Sequence, residues 1–370
     1  MKKTIVIFHA YYLPHLGGVE QYTKNIAQLL KKDYNVYIVA SNEEGYPDYE
    51  ELDGIHLIHL PIYNIFKARY PILKKNKKYK ALLKKILDLD IDYVICNTRY
   101  FQTTLLGCEV AKQKNAELFL IDHSSSHIQV GNSILDFLGA KYEDHLTRKI
   151  KKYNPRFYGV AKRTNEWLKY FGINAEGVFY NAIDDGAYIE PNRDEKKIKV
   201  LFTGRIIAEK GIVNLLEAFN KVEKKYDNIE LTVAGDGPIL EELKSKYSSE
   251  KIHYLGKQPH DEIMKLCSES DIFVYPSMYP EGLPTSILEA GLMKCAVLAT
   301  DRGGTKEVIL NDDYGFIVEE NAEDLADKLN LVISDKELRE KMQNNIYDNV
   351  IHNFTWVHTV ETIKEALKKH

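Results

Sequence analysis

The sequence predicts an α/β protein made of two doubly wound, Rossmann-like domains. Its 370 residues suit two domains of comparable size better than a single core. Short apolar runs rich in β-branched residues alternate with longer helical patterns from one end to the other. A polar stretch containing proline and glycine interrupts this alternation near the middle of the chain. Such a pattern indicates parallel sheets covered by helices on both faces.

The apolar runs form two series of predicted strands, and a helix-capable segment follows each strand. The first series is Thr4–Ala10, Val36–Ala40, Ile55–Leu60, Tyr93–Cys96, Leu118–Ile121 and Arg156–Val160. The second series is Lys199–Thr203, Glu230–Ala234, Ile252–Leu255, Ile272–Tyr275, Ala296–Thr300 and Gly315–Val318. The run that follows Lys3 stops at His9 after five apolar residues, so we interpret it as a buried first strand rather than a signal peptide.

The interruption from Asp184 to Lys197 predicts a linker. We therefore expect an N-terminal domain over residues 1–184 and a C-terminal domain over residues 197–354. A closing helix over 355–370 is expected to pack back on the N-terminal domain. Because ligands bind at the carboxyl ends of the strands in doubly wound sheets, we expect the chemistry in a central cleft that both domains face.

Composition and charge exclude several classes of protein. The net charge of −4 gives no reason to expect a nucleic-acid partner. The cysteines are scattered and form no C-x-x-C pair, which disfavours a zinc site and a disulfide framework and suits a reducing, cytoplasmic compartment. They are Cys96, Cys108, Cys267 and Cys295. No apolar stretch approaches the length needed to cross a bilayer.

One stretch departs strongly from the near balance of acidic and basic residues, because no acidic residue occurs between Asp53 and Asp88. Its cations are Lys67, Arg69, Lys74, Lys75, Lys77, Lys78, Lys80, Lys84 and Lys85. Apolar residues alternate with them. The stretch is either a solvated helix face or a basic amphipathic patch that contacts anionic lipid or a pyrophosphate-linked acceptor, possibilities that the sequence leaves open.

Two glycine-containing loops follow predicted first strands. Gly17 and Gly18 precede an amphipathic helix, where backbone can approach a ligand closely and the helix start favours negative charge. Their spacing is not the G-x-G-x-x-G of dinucleotide-binding proteins, and a Gly-Gly turn alone is often structural. In the second loop, after Gly204, Arg205 and Lys210 emerge together and could clamp a diphosphate.

The most informative segment runs from Tyr275 to Ala290. Pro284 suits the first turn of a helix, whose free N–H groups would then face a phosphate. Glu281 lies in the loop before this helix and Glu289 lies on it. Two carboxylates in these places can accept hydrogen bonds from sugar hydroxyls at the two ends of one extended ligand.

Taken in order, these motifs resemble those of glycosyltransferase family 4. They are G-G-V-E, G-R-x-x-x-x-K-G, A-G-D-G-P, E-G-L-P-T-S-x-L-E-A and D-R-G-G-T-x-E. They span nearly the whole chain, with the closer match in the second domain. The resemblance implies the GT-B fold, a nucleotide-sugar donor bound mainly by the second domain, and transfer with retention of configuration.

The resemblance also implies roles for individual residues. Arg205 and Lys210 would bind the diphosphate and stabilise the leaving group, Glu281 would contact the transferred sugar, and His123 would face the sugar or acceptor. The implied donor-binding residues are Gly17, Gly18, Gly204, Tyr254, Lys257, Gly282, Leu283, Pro284, Thr285 and Glu289. Among them, Glu289 would accept hydrogen bonds from the ribose.

From this we expect no cofactor beyond the nucleotide-sugar co-substrate, and no metal. Asp88, Asp90 and Asp92 form a D-x-D pattern that some sugar-transfer enzymes use for metal, but we interpret it as the polar lead into a strand. The version of the motif around Pro284 resembles those of bacterial surface-polysaccharide and glycoprotein pathways, which often use UDP-sugars. The expected acceptor is a lipid-linked glycan. Alternatives are a protein or soluble acceptor, and a non-catalytic GT-B module that binds a nucleotide sugar.

Overall fold

The computed structural model describes residues 2–14, 17–43, 45–63, 70–128, 132–280 and 282–369. The chain divides into two compact units. Unit 1 comprises Met1–Asn181 and Thr359–His370, and unit 2 comprises Ala182–His358. The C-terminal segment thus belongs to unit 1, while the polar stretch from Asp184 to Lys197 lies in unit 2.

Unit 1 contains an extended sheet with helices between its strands. The strands are β1 (Thr4–Phe8), β2 (Asn35–Asn42), β3 (Tyr49–Leu52), β4 (Ile55–Tyr63), β5 (Ile72–Leu73), β6 (Tyr93–Asn97), β7 (Glu117–Asp122), β8 (Arg156–Gly159) and β9 (Gly177–Val178). The helices are α1 (Gly18–Leu30), α2 (Lys77–Leu87), α3 (Gln102–Lys114), α4 (Ser133–Lys151) and α5 (Lys162–Leu168).

Unit 2 repeats the alternation of strands and helices. Its strands are β10 (Ile198–Thr203), β11 (Ile229–Ala234), β12 (Ile252–Gly256), β13 (Ile272–Tyr275), β14 (Ala296–Thr300) and β15 (Gly315–Val318). Its helices are α6 (Ile212–Val222), α7 (Leu240–Lys246), α8 (His260–Ser268), α9 (Thr285–Leu292), α10 (Thr305–Val308), α11 (Ala322–Ser334) and α12 (Lys336–Asn353). The closing helix α13 (Trp356–Lys368) follows and returns the chain to unit 1.

Both sheets have the doubly wound strand order, which confirms the predicted fold class. In unit 1 the order is β3-β4-β2-β1-β6-β7-β8-β9, with β5 paired to β4. In unit 2 it is β12-β11-β10-β13-β14-β15, and its neighbouring strands are parallel. The order reverses between β1 and β6 and again between β10 and β13. Each reversal is a topological switch point, where ligands bind at the carboxyl ends of the strands.

The prediction that a helix-capable segment follows every strand is wrong after β2. There the chain forms β3, which pairs antiparallel with β4 at the edge of the sheet. Three of the four β3 residues are exposed and the fourth is partly buried. An edge strand of this kind needs no apolar run, so hydrophobic patterning alone does not reveal it.

Helix α2 carries much of the basic stretch, and its apolar residues face inward. Tyr79, Leu82 and Ile86 are buried in the core of unit 1. This spacing forms one helical face, which leaves the lysines on the outside. The structure therefore favours the solvated helix face for α2, while Lys67 and Arg69 lie outside the described residues. Within the part of the chain that the structure describes, no helix has both the length and the apolar character of a membrane span.

Candidate active site

The loops that follow β10 and β13 meet at the switch point of unit 2. Gly211 has a φ of 71°, and a Cβ built on it would lie 1.9 Å from the backbone oxygen of Pro276. Only glycine fits both the left-handed conformation and this approach. The N–H of Met278 donates a hydrogen bond of 2.8 Å to the carbonyl of Glu209. The two loops that carry the predicted diphosphate and sugar contacts are thus fastened together.

The A-G-D-G-P motif supports the first of these loops from its other side. A Cβ on Gly235 would lie 1.8 Å from the oxygen of Gly204, and one on Gly237 would lie 2.2 Å from the oxygen of Ile206. The N–H of Ile206 donates to the carbonyl of Asp236 at 2.9 Å. The glycines of this motif therefore allow close backbone packing and hold the loop at the edge of the sheet.

The two predicted cations differ in how firmly they are placed. Lys210 is partly buried, and its Nζ lies 3.2 Å from the hydroxyl of Tyr275. The same Nζ lies 5.5 Å from the ring centroids of both Tyr275 and Tyr279, within the range of a cation–π interaction. Arg205 is exposed, and its side chain has no partner among the described residues. Sequence reasoning assigned no role to the two tyrosines, although both belong to the segment from Tyr275 to Ala290 that it used.

The start of α9 differs by one residue from the expectation. Pro284 stands at the N-cap with φ −66° and ψ 115°, so the first helical residue is Thr285. Among the described residues no side chain caps this end, so the N–H groups of Thr285 and Ser286 are available to an anion, while that of Ile287 donates to the carbonyl of Pro284 at 3.3 Å. The side chain of Leu283 is buried, and the carbonyl of Gly282 accepts from the N–H of Gly304 at 2.6 Å. Glu281 lies outside the described residues.

Glu289, the predicted ribose contact, is paired with a residue that the sequence did not indicate. Its Oε1 lies 2.9 Å from Nε2 of His260, which stands at the start of α8. The hydrogen bond to Glu289 raises the pKa of His260 above its ordinary value. Two helices thus present a hydrogen-bonded pair of imidazole and carboxylate in unit 2, and the carboxylate is the less exposed partner, at 17%.

Tyr254 and Lys257, predicted beside the base, have different surroundings. The ring of Tyr254 packs on the core of unit 2, and its hydroxyl donates to the carbonyl of Tyr247 at 3.2 Å. Burial raises its pKa to about 12. Lys257 is exposed, in the turn that begins at Gly256. Of the two predicted residues, the tyrosine is engaged in packing and the lysine extends into solvent.

In unit 1, Gly17 is the N-cap of α1 and Gly18 is its first residue. A Cβ on Gly17 would lie 2.3 Å from Oε2 of Glu20, whereas one on Gly18 would meet nothing within 4 Å. Glu20 is 7% exposed and lies 4.0 Å from Nε2 of His9, measured from its Oε1. A carboxylate therefore already lies beside the start of α1, the end that favours negative charge.

His123 is held by a chain of hydrogen bonds that reaches α1. Its Nε2 lies 3.2 Å from Oδ1 of Asn97, and Nδ2 of Asn97 donates to the hydroxyl of Thr23 at 2.9 Å. This arrangement places a proton on Nε2 and leaves the lone pair on Nδ1. The ring of Tyr22 packs edge-on at 4.8 Å. Burial lowers the pKa of His123 to about 4, so the imidazole is neutral at physiological pH.

A buried charge network adjoins His123, and sequence reasoning missed it. Arg99 is fully buried, with Nη1 2.7 Å from Oδ2 of Asp122 and Nη2 3.4 Å from Oε2 of Glu143. Nδ1 of His127 lies 3.0 Å from the same Glu143 oxygen. Since Asp122 precedes His123 directly, the network anchors the loop that carries the histidine. Arg99 and Asp122 follow buried runs of neighbouring strands, a signal that could have revealed the pair.

The GT-B architecture of glycosyltransferases consists of two doubly wound domains. In this chain the second of them carries cations and an open helix start at its switch point. Residues 16–186 match the family model of Glycosyltransferase Family 4, and residues 188–349 match that of Glycosyl transferases group 1. Across 371 aligned residues the chain is 31% identical to an uncharacterized glycosyltransferase of Methanocaldococcus jannaschii, covering 93% of each chain.

A second relative is named by its reaction. The chain is 30% identical over 359 residues to the N,N'-diacetylbacillosaminyl-diphospho-undecaprenol alpha-1,3-N-acetylgalactosaminyltransferase of Campylobacter jejuni, covering 90% of this chain and 92% of that one. Among solved structures, Anabaena HepE in complex with UDP and glucose has the same fold, with a TM-score of 0.72, 16% identity and full coverage of both chains. The chain belongs to glycosyltransferase family 4 and is a glycosyltransferase of the group 1 type.

Proposed function

We propose that the protein transfers a hexose or N-acetylhexosamine from a UDP-sugar to a lipid-linked glycan, with retention of configuration. One observation carries the donor half of this proposal. Lys210 is fixed by Tyr275 in a loop that is fastened to the loop before α9. A preorganised cation near an open helix start suits a departing diphosphate, because both favour the negative charge that develops in the transition state.

The remaining donor contacts follow from the same placement. Arg205, in the same loop as Lys210, would add a planar fork to the diphosphate. Glu289 would accept hydrogen bonds from the ribose, either while its carboxylate stays bonded to His260 or after that bond is released. Glu281 would anchor the transferred sugar. The preference for uridine is supported by the UDP bound to HepE, a protein of the same fold.

Retention is proposed to come from attack on the same face of the sugar that the diphosphate leaves. The leaving phosphate then takes the proton of the acceptor hydroxyl, so the protein needs no nucleophile. His123 would contribute the lone pair on its Nδ1, which can accept a hydrogen bond from a hydroxyl of the sugar or acceptor. The low pKa of His123 suits this role, since a neutral imidazole keeps that lone pair across the physiological range.

We propose that the reaction needs no metal and no cofactor. Among the described residues there is no group of three or more His, Cys, Asp or Glu side chains that could hold a metal ion. Two members of the D-x-D pattern have structural partners, since Asp88 pairs with Lys84 at 2.7 Å and Asp92 accepts from the N–H of Thr4 at 2.7 Å. Lys210 and Arg205 would supply the positive charge instead.

The lipid-linked acceptor is supported by the Campylobacter relative, whose name specifies a diphospho-undecaprenol substrate. Synthesis of a bacterial surface polysaccharide or glycoconjugate on the cytoplasmic side would fit such an acceptor. The lysines of the Lys67–Lys85 stretch would add electrostatic attraction to an anionic membrane.

The test is a screen followed by a transfer assay. UDP-, GDP- and ADP-sugars are compared for thermal stabilisation of the protein, and the donor that binds is then offered with a polyprenyl-diphosphate-linked sugar. We expect UDP-sugars to stabilise the protein, an α-linked product from an α-linked donor by NMR, and unchanged rates in excess chelator. Absence of stabilisation by every nucleotide sugar would reject the donor site, and loss of activity in chelator would reject metal independence.

A further inference from the structure

The first two turns of α4 expose four large apolar side chains, which we call the α4 apolar face. They are Ile134, Leu135, Phe137 and Leu138, with exposed fractions of 70%, 56%, 61% and 57%. The helix start beneath them is well formed, because the side chain of Asn132 accepts hydrogen bonds of 3.1 Å from the first two of their N–H groups. So much contiguous apolar surface on one short segment indicates an interaction site.

The α4 apolar face points away from the body of unit 1. The residues by which α4 packs on that body are Glu143, Leu146, Thr147 and Ile150. At about 100° per residue these form one side of the helix, and the α4 apolar face is centred on roughly the opposite side. Ile134, Phe137 and Leu138 therefore project outward from the unit that α4 packs on, whereas Leu135 lies at the edge of the packing side, in nearly the same direction as Leu146.

Positive charge continues along the same outward side. Lys141, Arg148 and Lys149 are exposed there, and Lys141 lies 5.5 Å from the ring centroid of Phe137, measured from its Nζ. The acidic residues of the segment lie elsewhere on the helix. Asp136 is partly buried on the inward side, and Asp144 is partly buried, with its Oδ1 3.6 Å from Nε2 of His127. The outward side thus passes from apolar to cationic along the helix.

We propose that the α4 apolar face inserts into the surface of an anionic lipid bilayer. Apolar side chains would enter the boundary between headgroups and acyl chains, and the cations behind them would contact lipid phosphates. A second copy of the chain fits less well, because in a two-fold contact the same surface faces itself and the outward side of α4 offers the cations no acidic partner. Helix α2 lacks an equivalent surface, since Tyr79, Leu82 and Ile86 are buried and Leu83 and Leu87 pack partly buried against the core.

This inference goes beyond the proposed acceptor, because membrane binding is measured without any sugar. Purified full-length protein is sedimented with vesicles of phosphatidylcholine, alone or with roughly one third phosphatidylglycerol. We expect binding to the anionic vesicles and little to the neutral ones. The double variant Phe137→Ser/Leu138→Ser should lower the partition coefficient at least about tenfold. Arg148→Gln/Lys149→Gln should lower it by about tenfold on anionic vesicles.

Leu331→Ser is the matched control, because Leu331 is 46% exposed on α11 of unit 2 and this variant should bind as the wild type does. Circular dichroism confirms that each variant is folded. Absence of wild-type binding to anionic vesicles would overturn the inference, as would wild-type binding by Phe137→Ser/Leu138→Ser. So would light scattering that finds a dimer which this variant converts to a monomer. Sugar transfer to a detergent-dispersed acceptor would still support the proposed function in those cases.

Discussion

Replacing His123 by glutamine tests whether the fold holds this imidazole neutral. The pKa of His123 falls from the ordinary value of 6.5 to about 4 because burial disfavours the charged ring. Between those values the unfolded chain binds a proton that the folded protein does not. The stability contributed by the neutral ring is therefore complete above pH 6.5 and is lost as the pH falls toward 4.

The magnitude follows from the two pKa values. Their difference corresponds to about 3 kcal/mol of free energy of unfolding, of which roughly 2 kcal/mol is lost between pH 7 and pH 5. Glutamine does not titrate, and its amide can still donate to Oδ1 of Asn97. Other groups with shifted pKa values, such as Glu143 and Asp271, are common to both proteins. The difference between wild type and variant therefore isolates His123.

The assay is urea unfolding at a series of pH values between 7 and 5, monitored by a spectroscopic probe in unit 1. We expect the wild type to lose about 2 kcal/mol more than His123→Gln over this range. An NMR titration of the imidazole protons gives the pKa directly. Parallel pH dependence in the two proteins, or a measured pKa near 6.5, would refute both the burial argument and the neutral role proposed for His123.

Three further changes test unit 2. Lys210→Ala should lower kcat on the order of a hundredfold, because it removes a preorganised positive charge, with little change in the melting temperature; near-normal turnover would contradict the diphosphate clamp. Gly211→Ala should cost more than about 2 kcal/mol in urea unfolding, since its Cβ would meet the oxygen of Pro276, whereas Gly139→Ala, with nothing within 4 Å of its Cβ, should not destabilise. In the wild type, calorimetry should show that UDP binding weakens as the pH falls through the raised pKa of His260, because the protonated ring competes for the carboxylate of Glu289. His260→Gln should remove this weakening, and identical pH profiles in the two proteins would reject the competition.

Much of the fold could be predicted because burial leaves a local signature. Strands of a parallel sheet are covered on both faces, so each is a short apolar run. In unit 2 all six runs became strands whose ends differ from the prediction by at most one residue. In unit 1 the same reasoning missed β3, β5 and β9, which lie at or near the sheet edges and are too short or too polar to form such runs. The site motifs could be placed because glycine and proline have recognisable backbone preferences, and because ligands bind at the strand ends where the cations lie.

The sequence by itself determined the two-domain α/β architecture, the loop that carries Lys210, the helix that carries Glu289, and the family. Only the tertiary structure decided which groups meet. The pairs Arg99–Asp122 and His260–Glu289 join residues from different elements, and no local pattern encodes the distance between them. The outward direction of the α4 apolar face was likewise not predictable, because no local pattern encodes which side of a helix packs on the rest of the unit. An apolar residue in a sequence tends to be buried, but only the packing of the folded chain determines whether other residues of the protein bury it.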